Sequence, residues 1–93
     1  MLVGVMRANL YMQGVTSLKQ KRSIVKGIIG KLSSRFNISI AEIDHQDSKT
    51  SAVIGLAIVS NDKIFIDQQF EAILKFMRND GRFYLGSVER EIL

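Results

Sequence analysis

The chain has 93 residues, 46% of them hydrophobic and 24% charged. That is enough apolar material for one folded core and too much for a disordered chain, with no room for a second domain. With no cysteine it has no disulfide, thiolate metal site or cysteine nucleophile, and with no proline it has no slow isomerisation step. Thirteen lysines and arginines against nine acids give a net charge of +4, and the imbalance is local. Seven bases and no acid precede residue 42, and all nine acids lie from there onward. Such asymmetry points to an anionic partner.

Residues 2–12 (LVGVMRANLYM) alternate as a strand does. Leu2, Met6, Ala8, Leu10 and Met12 share one face; Val3, Val5, Arg7, Asn9 and Tyr11 share the other. Ser17 then offers a helix N-cap, with Gln20 completing a capping box. Leu18, Val25, Ile28, Ile29, Leu32 and Phe36 recur at helical spacing, and Asn37 is the expected left-handed stop. Residues 38–44 and 51–60 predict two strands joined by a polar hairpin loop. Asn61-Asp62 offers an N-cap for a second helix over 63–78, which buries Ile66, Phe70, Ile73, Leu74 and Met77 and is stopped by Asn79-Asp80-Gly81, with Gly81 expected just past its end. Residues 82–92 form the last strand.

The order β-α-β-β-α-β predicts an α+β, ferredoxin-like sandwich in one domain over 1–93. Right-handed crossovers set a four-stranded antiparallel sheet of order 4-1-3-2, with both helices on one face. The third strand is apolar on both faces, where a half-exposed strand alternates. Val53, Ala57 and Val59, with Tyr11 beside them, therefore form an expected interface on the open sheet face, covered by a second copy in a dimer or by another protein.

The first helix carries the densest positive charge. Lys19, Arg22 and Lys26 are read as one flank and Lys21, Lys31 and Arg35 as the other, with Ser23, Gly27, Gly30 and Ser34 between them. Two basic rails around small residues make a shallow groove for nucleic-acid phosphates, and ribosomal RNA or a ribosomal particle is the expected partner. The alternative is an ordinary solvated basic face. The GIIG of residues 27–30 matches the RNA clamp of KH domains only by chance, because it lies inside a helical pattern and its central pair is apolar. Recognition through stacked aromatics on the sheet is not expected, since Tyr11 is the one candidate.

Glu42, Asp44, His45 and Asp47 are either a metal cluster or a hairpin bonding its own backbone; the spacing matches no metal site, and none is expected. Arg7 is expected to pair with Glu89 or Glu91. The MQGVTSLK segment is similar to the phosphate cradle of acylphosphatases, but Leu18 stands where their catalytic arginine belongs. That hydrolase remains a remote alternative, and no catalytic residue or cofactor is assigned. No apolar run reaches the roughly 18 residues of a membrane span, the N-terminus does not read as a secretory signal, and a cytoplasmic protein is expected.

Ser17-Leu18-Lys19, Lys21-Arg22, Phe36-Asn37, Ala41-Glu42, Asp44-His45-Gln46-Asp47 and Glu89-Arg90-Glu91 together resemble the YlxP-like family of small bacterial proteins, a domain of unknown function. The resemblance covers essentially the whole chain. It implies a ferredoxin-like fold and no established catalysis. Family members are often encoded beside initiation factor two and ribosome-binding factor A, which implies an association with translation in the bacterial cytoplasm.

Overall fold

Local chemistry starts each helix as its sequence proposes. Ser17 Oγ accepts from the Gln20 backbone N–H at 3.1 Å, and Gln20 Oε1 reaches back to the N–H of Thr16 at 3.2 Å. Asp62 Oδ1 accepts from the N–H groups of Ile64 and Phe65 at 3.0 and 3.4 Å. These bonds satisfy donors that no helix can satisfy internally. The computed structural model describes all 93 residues as β1 (Leu2–Tyr11), α1 (Leu18–Arg35), β2 (Ser39–Asp44), β3 (Ser51–Ser60), α2 (Lys63–Arg78) and β4 (Tyr84–Ile92). The sheet order β2-β3-β1-β4 is the expected one, with every pairing antiparallel.

The helix ends depart from expectation. Asn37 is not left-handed; the cap is Phe36, extended at φ −126° and ψ 143°, with its N–H on Leu32 O. Gly81 is not left-handed either. Helix α2 closes at Asn79 (φ −86°, ψ −4°), and Asp80 builds the next turn by accepting from the Arg82 N–H at 2.9 Å. This turn delays β4 to Tyr84, leaving Phe83 buried ahead of it. A positive φ occurs at Gly14 (75°), where β1 turns toward α1, and at His45 (59°).

One core of 17 buried hydrophobic residues lies between the sheet and the helices. The β1 face chosen by alternation is the buried one, and Gly4 belongs to it: a Cβ there would collide with Ile66 and Phe70, so α2 presses onto the backbone. From α1 the buried stripe is Lys21, Val25, Ile28 and Leu32. The strands β1 and β3 pair without interruption from Leu2–Ser60 to Tyr11–Ser51. Both outer strands are irregular. The β2 register shifts between Glu42 and Asp44, and the β4 register shifts opposite Asn9, which lets Leu85 and Val88 both reach the helix side.

Candidate functional site

The six basic residues of α1 meet different fates. Lys19, Arg22 and Lys26 line one hollow of about 410 Å³ together with Ser23. All four are exposed, and none of the three cations makes an ion pair. Lys19 stands in the first turn of α1, which holds no acid, and Arg22 follows one turn later. The helix dipole is positive at that end, so Lys19 there is unfavourable by a few tenths of a kcal/mol, and an incoming anion would relieve both this and the crowding of like charges.

Two of the other three are committed within the chain. Lys21 is a correction: its side chain is fully buried and does not reach a nucleic acid. The ammonium lies 2.7 Å from Glu42 Oε2 and donates to the carbonyls of His45 and Gln46 at 2.8 and 3.4 Å. The Glu42 oxygen is buried with no hydrogen-bond partner, so the ion pair with this ammonium is what compensates its charge. Removing one member of a buried pair costs about 3–5 kcal/mol, because the other charge is stranded. Arg35 stacks its guanidinium 4.5 Å from the centre of the Phe76 ring. Lys31 stays exposed but borders a different hollow, with Phe76, Asn79, Asp80 and Gly81.

The strip of small residues is also partly filled. The Arg82 guanidinium lies against Gly27, where a Cβ would come within 3.0 Å of its Nη1. Asp80 holds that guanidinium at 3.0 and 2.6 Å. The bond to Arg82 lowers the Asp80 carboxyl below its ordinary value of 3.8, and Asp80 raises Arg82 in return. Gly30 remains open, with nothing within 4 Å of a Cβ placed there.

The acidic segment after residue 41 does not converge. The bulge in β2 turns Glu42 to the helix side and Asp44 to the open side, although unbroken alternation places them on one face. Asp44 Oδ2 takes Arg7 at 3.5 Å, so Arg7 pairs with neither Glu89 nor Glu91. His45 and Asp47 are exposed, and no three His, Asp or Glu side chains gather as a metal site. The left-handed His45 begins a turn closed by Ser48 N–H on His45 O at 3.0 Å, and Ser51 Oγ lies 3.2 Å from His45 Nδ1.

Of the expected interface residues, Val59 and Tyr11 are exposed and Ala57 is half-buried. Val53 is a correction: it is completely buried within the single chain and is not available to a partner. Tyr84, absent from the sequence-based set, pairs across from Tyr11 and is also exposed. Its distance of 73 residues from Tyr11 left no local signal.

Residues 3–90 match the sequence profile of a family described as a protein of unknown function, DUF503. The chain belongs to that family. It is 29% identical over 76 residues to the uncharacterized protein YlxP of Bacillus subtilis (strain 168), covering 82% of this chain and 83% of the relative. Among solved structures, the de novo designed protein Foldit4 superposes with a TM-score of 0.55 at 14% identity, over all of this chain and 97% of the design. A dimeric ferredoxin-like protein from an uncultured marine organism superposes with a TM-score of 0.50 at 8% identity, over 100% of this chain and 96% of its own. These likenesses confirm the ferredoxin-like fold. No helix is long and apolar enough to cross a membrane.

Proposed function

We propose that the chain is a non-enzymatic binding module of the bacterial cytoplasm that engages RNA phosphates, on a ribosomal particle, through Lys19, Arg22 and Lys26. The observation that supports this reading is the unpaired state of three converging cations, one of them in the first turn of a helix. Every other base within α1 has a partner inside the chain or borders another surface. An arrangement that costs local stability without any internal compensation fits a surface built for an external anion. The contacts are to phosphate, so binding is largely independent of base sequence.

Co-sedimentation with purified ribosomal subunits tests the reading. Binding is expected at low salt, with the logarithm of affinity falling against that of salt at a slope of about −2 for three neutralised phosphates. The triple variant K19E/R22E/K26E should remain folded and fail to sediment. Retained binding in the triple variant overturns the site, and absence of binding at every salt concentration overturns the function.

A further inference from the structure

The open sheet face carries a trough of about 470 Å³. Small residues make its floor: Val5 on β1, Ala41 on β2, Gly55 and Ala57 on β3. Ile43 leans over Gly55, where a Cβ would come within 2.9 Å of its Cδ1. The β4 rim is formed by Glu89 and Glu91, both exposed and neither in an ion pair. Arg7 lies directly across from Glu89 in register, yet its ion pair is with Asp44. Arg90 also borders the trough, but its guanidinium is turned to the helix layer, 2.9 Å from Glu71, so the charged groups left facing this side are Arg7 with its partner Asp44, and the unpaired Glu89 and Glu91.

This charge selects among occupants. A second copy laid face to face would double the acid excess over the surface that closes, and like charges across an interface oppose assembly. An extended segment lying on the face is opposed for another reason. The backbone groups of β1 and β3 are already committed to neighbours on both sides, so such a segment would bury its own N–H and C=O groups unpaired. A helix satisfies its backbone internally. From β2 to β4 is three strand spacings, about 14 Å, against a helix diameter of about 10 Å. Glu89 and Glu91 stand about 7 Å apart along their strand, close to the 6 Å rise between helix positions i and i+4.

We infer that the trough receives an amphipathic helix from a protein partner, its small apolar side chains on the Ala41–Gly55–Ala57 floor and a Lys or Arg pair at i and i+4 on Glu89 and Glu91. This surface lies opposite the helix layer and is independent of the phosphate-binding reading.

The experiment titrates the full ¹⁵N-labelled chain with two 18-residue helical peptides. One has an Ala/Leu stripe bordered by lysines at i and i+4; the other carries glutamates in place of those lysines. The lysine peptide should shift the amides of Val5, Ala41, Gly55, Ala57 and Glu89, and the glutamate peptide should not. The variant E89K/E91K should weaken the lysine peptide by about tenfold or more. The variant A57L, which fills the floor without touching charge, should weaken it as well. K19E/R22E/K26E should bind the peptide as the wild type does. Equal binding of both peptides, unchanged affinity in E89K/E91K, or shifts confined to α1 overturns the inference. So does sedimentation that finds a wild-type dimer made monomeric by A57L, which would assign the face to a second copy.

Discussion

The two flanks of helix α1 are built from the same residue types and differ in fate: on the second, Lys31 alone stays exposed and unpaired. Lys19, Arg22 and Lys26 stand unpaired around one hollow, whereas Lys21 is sunk beneath the β2–β3 hairpin and Arg35 is laid on Phe76. A count of basic residues therefore measures charge and not availability. Availability depends on what the fold brings opposite each side chain, and on this helix that divides Lys21 from Lys19 and Arg22, two and one residues away.

The largest expected effect lies on the committed side. Lys21→Met keeps the volume and removes the charge, leaving Glu42 and two hairpin carbonyls without their partner. A loss of about 3 kcal/mol is expected, near 15 °C in Tm for a domain of this size, with the variant's remaining folded fraction still binding RNA. A shift of under 2 °C in thermal denaturation would break the comparison, because Lys21 would then be no more committed than Lys19. Gly30→Ala probes the pole between the flanks. Nothing stands near its Cβ, so the helix should gain up to about 1 kcal/mol. Urea titration reads that gain, and a simultaneous drop in subunit binding would show that an anion passes close to the backbone there.

The smallest effect is a pH dependence. Arg82 depresses the Asp80 carboxyl, so Asp80 is protonated at lower pH in the folded chain than in the unfolded one. Its stabilisation is complete above the ordinary value of 3.8 and is lost as pH falls through the lowered value. Asp80→Asn should therefore lower stability at pH 7 and flatten its acid dependence below pH 4, as read by denaturant titration across that range. A parallel, unflattened profile would mean that Arg82 is held against Gly27 by something other than this carboxylate.

Alternation in β1 and helical spacing in α2 made the fold legible, because both patterns are local and both describe burial directly. The position of Lys21 was legible too. It precedes Val25, Ile28 and Leu32 by four, seven and eleven residues, in the middle of the apolar stripe. A lysine by type belongs at the surface, although a long aliphatic stem with a partnered tip is compatible with that stripe. The opposite facing of Glu42 and Asp44 was not legible, since nothing in ISIAEID marks the register shift that separates them. The Arg82–Gly27 approach joins residues 55 apart in the chain, and local pattern carries no trace of it.

The two register shifts sit on the two outer strands, while the inner pair runs unbroken. A third chain seeking to extend the sheet needs a straight row of free amides and carbonyls, and a bulge interrupts and twists that row. The exposed charges of Asp44, Glu89 and Glu91 lie beside the interruptions. A chain whose central strand is apolar on both faces thereby carries, on the two strands where the sheet ends, the irregularities that oppose edge-to-edge templating of its own copies.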